Sequence, residues 1–154
     1  MTRASSVPAQ LQRAESFATI FVLAQLLSRL GDEVLAPLDL TTKQWLLLAV
    51  VAKGFAETEP TLSEVATVYG SSRQNVKQIA QQLEQRGWLR LVTDPADRRA
   101  VRFRLTRKLQ LFDGPAHHAR QQALFDRIFA GLSRADLTAL HRLLTGWRRS
   151  LTDP

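Results

Sequence analysis

The chain has 154 residues, 45% of them apolar, no cysteine and a formal net charge of +7. That suits one packed domain, or one domain with a helical extension, and excludes disulfides, zinc–thiolate sites and thiol redox sensing. The opening MTRASSVPAQ lacks the apolar segment of a signal peptide and no apolar run nears the length of a membrane span, so a cytosolic protein without membrane contact is expected.

Residues 1–10 are expected to be unstructured. A helix is then predicted from Leu11 to Leu30, extending toward Leu35. Ile20, Leu23, Leu27, Leu30 and Val34 step by 3, 4, 3 and 4, a heptad-like seam. Phe17, Phe21 and Ala24 widen this apolar face, so it must pack on more than one surface. Gly31 and Pro37 mark its weakening and its end. Thr41-x-x-Gln44 is a capping box that opens the apolar helix TTKQWLLLAVVAKGF. The polar loop AETEP leads to a second box, Thr61-x-x-Glu64, with Leu62, Val65, Ala66 and Val68 on the core side of a short helix.

Gly70 turns the chain into the stretch on which the reading rests. Ser71-x-x-Gln74 reads as a further capping box. Val76, Ile79, Ala80 and Leu83 form one apolar stripe, and Gln74, Lys77, Gln78 and Gln81 lie opposite. That outer side is polar and free of acid. Amides can pair with base edges, and Lys can reach a base or a phosphate. Gly87 ends the helix. Two short helices joined by a tight glycine turn, the second polar outside, make a helix-turn-helix.

A β-ribbon follows, predicted as Trp88–Thr93 and Ala100–Leu105. Val101, Phe103 and Leu105 point inward, and Arg102 and Arg104 outward. Its tip, DPADRR, presents Arg98 and Arg99, which suit the negative potential of a minor groove. Asp94 and Asp97 are expected to hold these arginines by charge-assisted hydrogen bonds. From Ser71 to Lys108 there are ten basic and three acidic residues, and ten minus three equals the +7 of the whole chain. A basic patch confined to one module is the footprint of a polyanion binder. The expected DNA contacts are Ser71, Ser72, Arg73, Gln74, Asn75, Lys77, Gln78, Gln81, Arg98, Arg99 and Arg102.

Asp113-Gly114-Pro115 is expected to break or kink the segment after the ribbon, because interior Pro costs about 3 kcal/mol and Gly about 1. Ser133-x-x-Asp136 opens a last helix. Its Leu137, Leu140, Leu144, Trp147 and Leu151 repeat the 3, 4, 3, 4 spacing. Two apolar seams at opposite ends of a small chain suit a two-fold interface, with Ile20, Leu23 and Leu27 facing Leu137, Leu140, Leu144 and Trp147. His117, His118 and His141 show no helical metal-site spacing, and no Gly-rich phosphate loop or nucleophile triad stands out. No enzyme activity, cofactor or metal is expected.

The run from Leu40 to Thr106 resembles the winged-helix core of the MarR family of bacterial and archaeal transcription regulators. The resemblance rests on Leu40-Thr41, on Leu62, Val65 and Ala66, on Leu83-Glu84 with Gly87, and on DPADRRAVRFRLT with its Asp97-x-Arg99 and Leu105-Thr106. It covers about half the chain strongly, and the flanks match in layout. It implies a mainly α fold with a small β-wing: a winged helix-turn-helix (40–106) between an N-terminal dimerisation helix (11–39) and C-terminal dimerisation helices (107–154). It further implies a homodimer with the Ser71 helix in the major groove, Arg99 in the minor groove and Asp97 as its orienting partner. A small aromatic or anionic effector in a cleft of Phe17, Phe21, Trp45 and Phe112 is also implied. The chain departs from the family pattern at Leu109, where Gly is usual, and at Asp113-Gly114-Pro115, where a long helix normally runs on. The expected function is sequence-specific binding of double-stranded DNA as a homodimeric regulator, a repressor on a pseudo-palindromic operator. The alternative is a non-specific architectural or protein-interaction module.

Overall fold

The computed structural model describes residues 9–152. The chain divides into two compact units at the Gly114–Pro115 junction. The first unit begins with α1 (Ala9–Leu35), which runs unbroken through Gly31. Ala9 and Gln10, expected to lie outside any element, are already helical; residues 1–8 are outside the described residues. Gly31 does not weaken the helix, because its missing side chain makes room for a neighbour. A Cβ there would lie 2.4 Å from Thr42 Oγ1. Thr42 instead donates its hydroxyl to the Ser28 carbonyl at 2.8 Å and its N–H to Asp32 Oδ1 at 2.6 Å.

A 3-10 turn (Ala36–Leu38) and the left-handed Asp39 (φ 54°) redirect the chain into α2 (Thr42–Gly54). The α2 capping box is complete, as is that of α3 (Leu62–Tyr69) at Thr61 and Glu64. Gly70 adopts φ 73° and donates its N–H to the Ala66 carbonyl at 3.0 Å. Such a cap needs a residue that tolerates the left-handed region. The chain then enters α4 (Arg73–Gln85), and Gly87 (φ 75°) closes the far end.

Strands β1 (Leu89–Thr93) and β2 (Val101–Leu105) pair antiparallel, with Leu89 opposite Leu105 and Leu91 opposite Phe103. The segment read as a polar loop adds a third edge. Phe103 N–H donates to the Pro60 carbonyl at 2.9 Å, and Thr61 bridges to Arg102. The core sits where α2, α3, α4 and this ribbon meet. Leu47, Leu48, Val65, Val76, Leu83, Trp88, Leu89 and Phe103 are fully buried there. Burial of side chains this size stabilises by about 1.5–3 kcal/mol each.

Thr106 caps a 3-10 segment (Arg107–Asp113), Gly114 is extended (φ −70°, ψ 141°), and α5 (Pro115–Phe129) starts at the proline. The helix therefore breaks where the sequence requires it, with Pro at the first helical position, where its missing N–H costs nothing. The second unit holds α5 and α6 (Arg134–Thr152), the latter opened by the Ser133–Asp136 box. No residue of α6 is buried. Within each unit the long helices carry exposed apolar surface: Phe17, Phe21, Leu23 and Leu27 on α1, and Leu140, Leu144, Trp147 and Leu151 on α6. No single helix among the described residues is long and apolar enough to cross a membrane.

Candidate nucleic-acid interface

The helix α4 starts one residue later than its sequence suggests. Ser72, not Ser71, is the N-cap, and its Oγ accepts the Asn75 N–H at 3.2 Å. Asn75 Nδ2 in turn donates to Ser71 Oγ at 2.8 Å. Both serines and Asn75 thus close the helix start, and Gln74 is released from the capping role assigned to it. Gln74, Lys77, Gln78 and Gln81 lie together on the exposed side with Arg73, lining one open hollow beside Leu62. The opposite side is fully committed to the core through Val76, Ile79, Ala80 and Leu83. A second hollow shares Leu62 and Arg73 and continues to Asp97 and Arg99 of the wing tip. The helix α4 and the wing tip therefore line two adjoining hollows that share Leu62 and Arg73.

The wing is braced by one buried and one exposed set of polar contacts. Asp94 is buried; one carboxylate oxygen accepts the Ala96 N–H at 2.7 Å and the other accepts Arg102 Nε. The Ala96 N–H, and then Arg102, hold its pKa below the usual carboxylate range. Arg102 Nη1 also donates to the Glu59 carbonyl at 2.6 Å. Arg104 is forked onto the Glu59 carboxylate, which its hydrogen bond keeps below the ordinary range. Arg102, expected at the DNA, thus serves within the chain as a strut between the wing and the edge before α3. Asp94 and Asp97 do orient the tip, though not through guanidinium bonds to Arg98 and Arg99. Asp97 Oδ1 accepts the Arg99 backbone N–H at 2.9 Å, and its carbonyl accepts the Ala100 N–H at 2.9 Å. This fixes the backbone and leaves both tip side chains exposed.

The charge count changes accordingly. Arg86 pairs with Asp39, Arg102 with Asp94 and Arg104 with Glu59. Lys108 donates to the Arg86 carbonyl and sits 4.7 Å above the Trp88 ring centroid. Among the described residues, Arg73, Lys77, Arg98 and Arg99 form no ion pair, nor do Arg90 and Arg107. Unpaired cations beside acid-free amides are what a phosphate backbone and base edges require.

Residues 38–100 match the sequence model described as the MarR family. Over that segment the winged-helix lobe is similar to the MarR family. Members of that family are transcription regulators rather than enzymes. A cysteine-to-serine variant of MarR from E. coli, crystallised with operator DNA, matches with a TM-score of 0.74 at 22% identity, over 91% of this chain and 98% of that one. A MarR-family regulator from Rhodococcus sp. RHA1 matches with a TM-score of 0.73 at 18% identity, over 99% of both chains. SlyA matches with a TM-score of 0.72 at 20% identity, over 89% of this chain and 94% of that one. At these identities the likeness establishes the fold. No curated protein sequence matches the chain.

Within this lobe, two residues are not legible from local sequence. Glu59, the strut partner, lies 45 residues from Arg104 in the chain. Gln44 was read only as a capping residue, yet it is buried and bonded to α4. Its Nε2 donates to Gln82 Oε1 at 2.9 Å, and its Oε1 accepts Arg86 Nη1 at 3.0 Å. The aromatic residues proposed for an effector do not share one role. Phe112 stacks on Trp88, with centroids 5.3 Å apart, and Trp45 packs partly buried against the core. Phe17 and Phe21 form an exposed edge-to-face pair on α1. Phe112 thus takes part in the packing of the lobe.

Proposed function

We propose that this protein is a homodimeric, sequence-specific regulator of transcription that binds double-stranded DNA in the cytoplasm and represses by occupying an inverted-repeat operator. The observation that carries this reading is the pair of adjoining hollows that run from Gln81 through Arg73 to Arg99, acid-free on the outer side of α4 and bordered by cations that form no ion pair among the described residues. Gln74, Lys77, Gln78 and Gln81 read base edges in the major groove, and Arg99 enters the neighbouring minor groove with Arg98 at its rim. The exposed apolar faces of α1 and α6 support the dimer, because the long apolar side chains there have no cover within their own units. A two-fold dimer places two reading helices on half-sites about one helical turn apart. The E. coli MarR–operator complex shows that this fold docks on DNA, and the present chain is proposed to do the same.

The test is selection of bound fragments from the source genome by the purified protein at two salt concentrations. Recovery of an inverted repeat that persists at the higher salt is the expected result. Fragments with no shared motif, lost together as salt rises, would mean that binding is phosphate contact alone. The architectural reading would then replace this one.

A further inference from the structure

The chain enters the winged-helix lobe through the Ala36–Thr41 connection and leaves it through the Thr106–Gly114 segment. Both passages grip the same residue. Arg86 caps the C-terminal end of α4. Its Nη1 donates to the Asp39 carbonyl at 2.7 Å and to Gln44 Oε1 at 3.0 Å, and its Nε lies 3.3 Å from Asp39 Oδ2. Gln44 reinforces this side through Gln82, one turn back on α4. From the exit segment, Lys108 Nζ donates to the Arg86 carbonyl at 2.7 Å. Lys108 is itself seated over Trp88, on which Phe112 of the same segment stacks.

We propose that Arg86 is a positioning residue for DNA reading: it sets the pose of α4 relative to the two connections and so fixes which half-site spacing the dimer accepts. The physical reason is the convergence of two independent tethers on one backbone turn. A guanidinium fork holds a planar, multi-bonded geometry that a single flexible contact does not. A shift of either connection is therefore delivered to the last turn of the reading helix. Apart from Gln82 on Gln44 and Glu84 on the Leu91 N–H, α4 is held to the lobe through its apolar stripe, which resists separation but is less directional. Arg86 carries the geometry and makes no base contact itself. The inference rests on the homodimer reading above.

The test uses the full chain and its selected operator, together with duplexes whose half-sites are one base pair closer and one farther apart, and a single half-site duplex. Arg86→Met and Lys108→Met each cut one tether while keeping an aliphatic stem. Both variants are first checked for dimer mass and thermal unfolding. The expected result is that discrimination between the selected spacing and its neighbours falls by about tenfold in both, the size of an ordinary coupling between sites, while single half-site affinity stays within about threefold of wild type. Unchanged spacing discrimination in both variants would overturn the assignment. An equal loss on the half-site and the full operator would also overturn it, showing that Arg86 touches DNA or only stabilises the lobe. Absence of any spacing preference in the wild type would instead remove the dimer reading, and this inference with it.

Discussion

The reading helix and the wing are both basic, yet they use charge in opposite ways. On α4 the outward side chains are free: Arg73 and Lys77 form no ion pair among the described residues, and the amides between them face an open hollow. In the wing, two of the arginines are consumed. Arg102 and Arg104 tie β2 to Asp94 and Glu59, whereas the tip pair and Arg90 form no ion pair among the described residues. A charge count therefore overstates the number of unpaired cations in the wing and states it fairly on the helix. The struts explain how a short two-stranded ribbon, marginal on its own, can hold Arg99 in a defined place.

This contrast can be broken at its strongest point by Asp94→Ala. That change strips Arg102 of its carboxylate and Ala96 of its acceptor, so the tip loses its frame as well as a strut. DNA affinity is expected to fall by roughly thirtyfold with the dimer intact, since a disordered tip must then be ordered on binding. Fluorescence anisotropy alongside light scattering checks it, and near-wild-type affinity would mean the frame is dispensable. Arg99→Ala removes one contact and leaves the frame, so a loss of roughly tenfold is expected on the preferred site. Gln78→Ala is expected to relax preference for one base pair by about fivefold, with non-specific affinity unchanged, as judged by competition with mismatched duplexes. Arg104→Gln is the smallest change: an exposed ion pair contributes little, and DNA affinity should stay within about twofold.

Acidity separates the two elements as well. Hydrogen bonds hold the Asp94 and Glu59 carboxyls below their ordinary range, so folding favours their charged forms. Their contribution is complete above the unfolded carboxylate pKa and is lost only as pH falls through the lower folded values. Amide signals of the wing should accordingly hold through mildly acidic pH and broaden at stronger acid. Asp94→Asn should remove the Asp94 share of that dependence at the wing, keep the share of Glu59, and leave α4 unaffected.

The difference between helix and wing also shows which parts of the molecule local sequence can specify. The capping boxes at Thr41, Thr61 and Ser133 form as read, because donor and acceptor lie within one turn. The stripe of Val76, Ile79, Ala80 and Leu83 is buried for the same local reason. The cap of α4, expected at Ser71, forms at Ser72, and the Asn75 bond to Ser71 accompanies that shift. The break at Gly114 followed from backbone chemistry alone. What stayed hidden depends on partners far apart in the chain. Glu59 meets β2, Gln44 meets α4, and Gly31 makes room for Thr42. Strand alternation correctly sent Arg102 and Arg104 away from the core, but it could not say that carboxylates were waiting there.

The most direct measurement of the division between contacts and struts is the salt dependence of binding to one duplex by wild type, Arg99→Ala and Arg104→Ala. Each phosphate-neutralising cation contributes about 0.9 to the slope of log affinity against log salt. The account predicts a slope shallower by about that amount for Arg99→Ala and an unchanged slope for Arg104→Ala. An unchanged slope for Arg99→Ala together with a shallower one for Arg104→Ala would contradict it, placing the DNA along the strut face of the wing rather than at its tip.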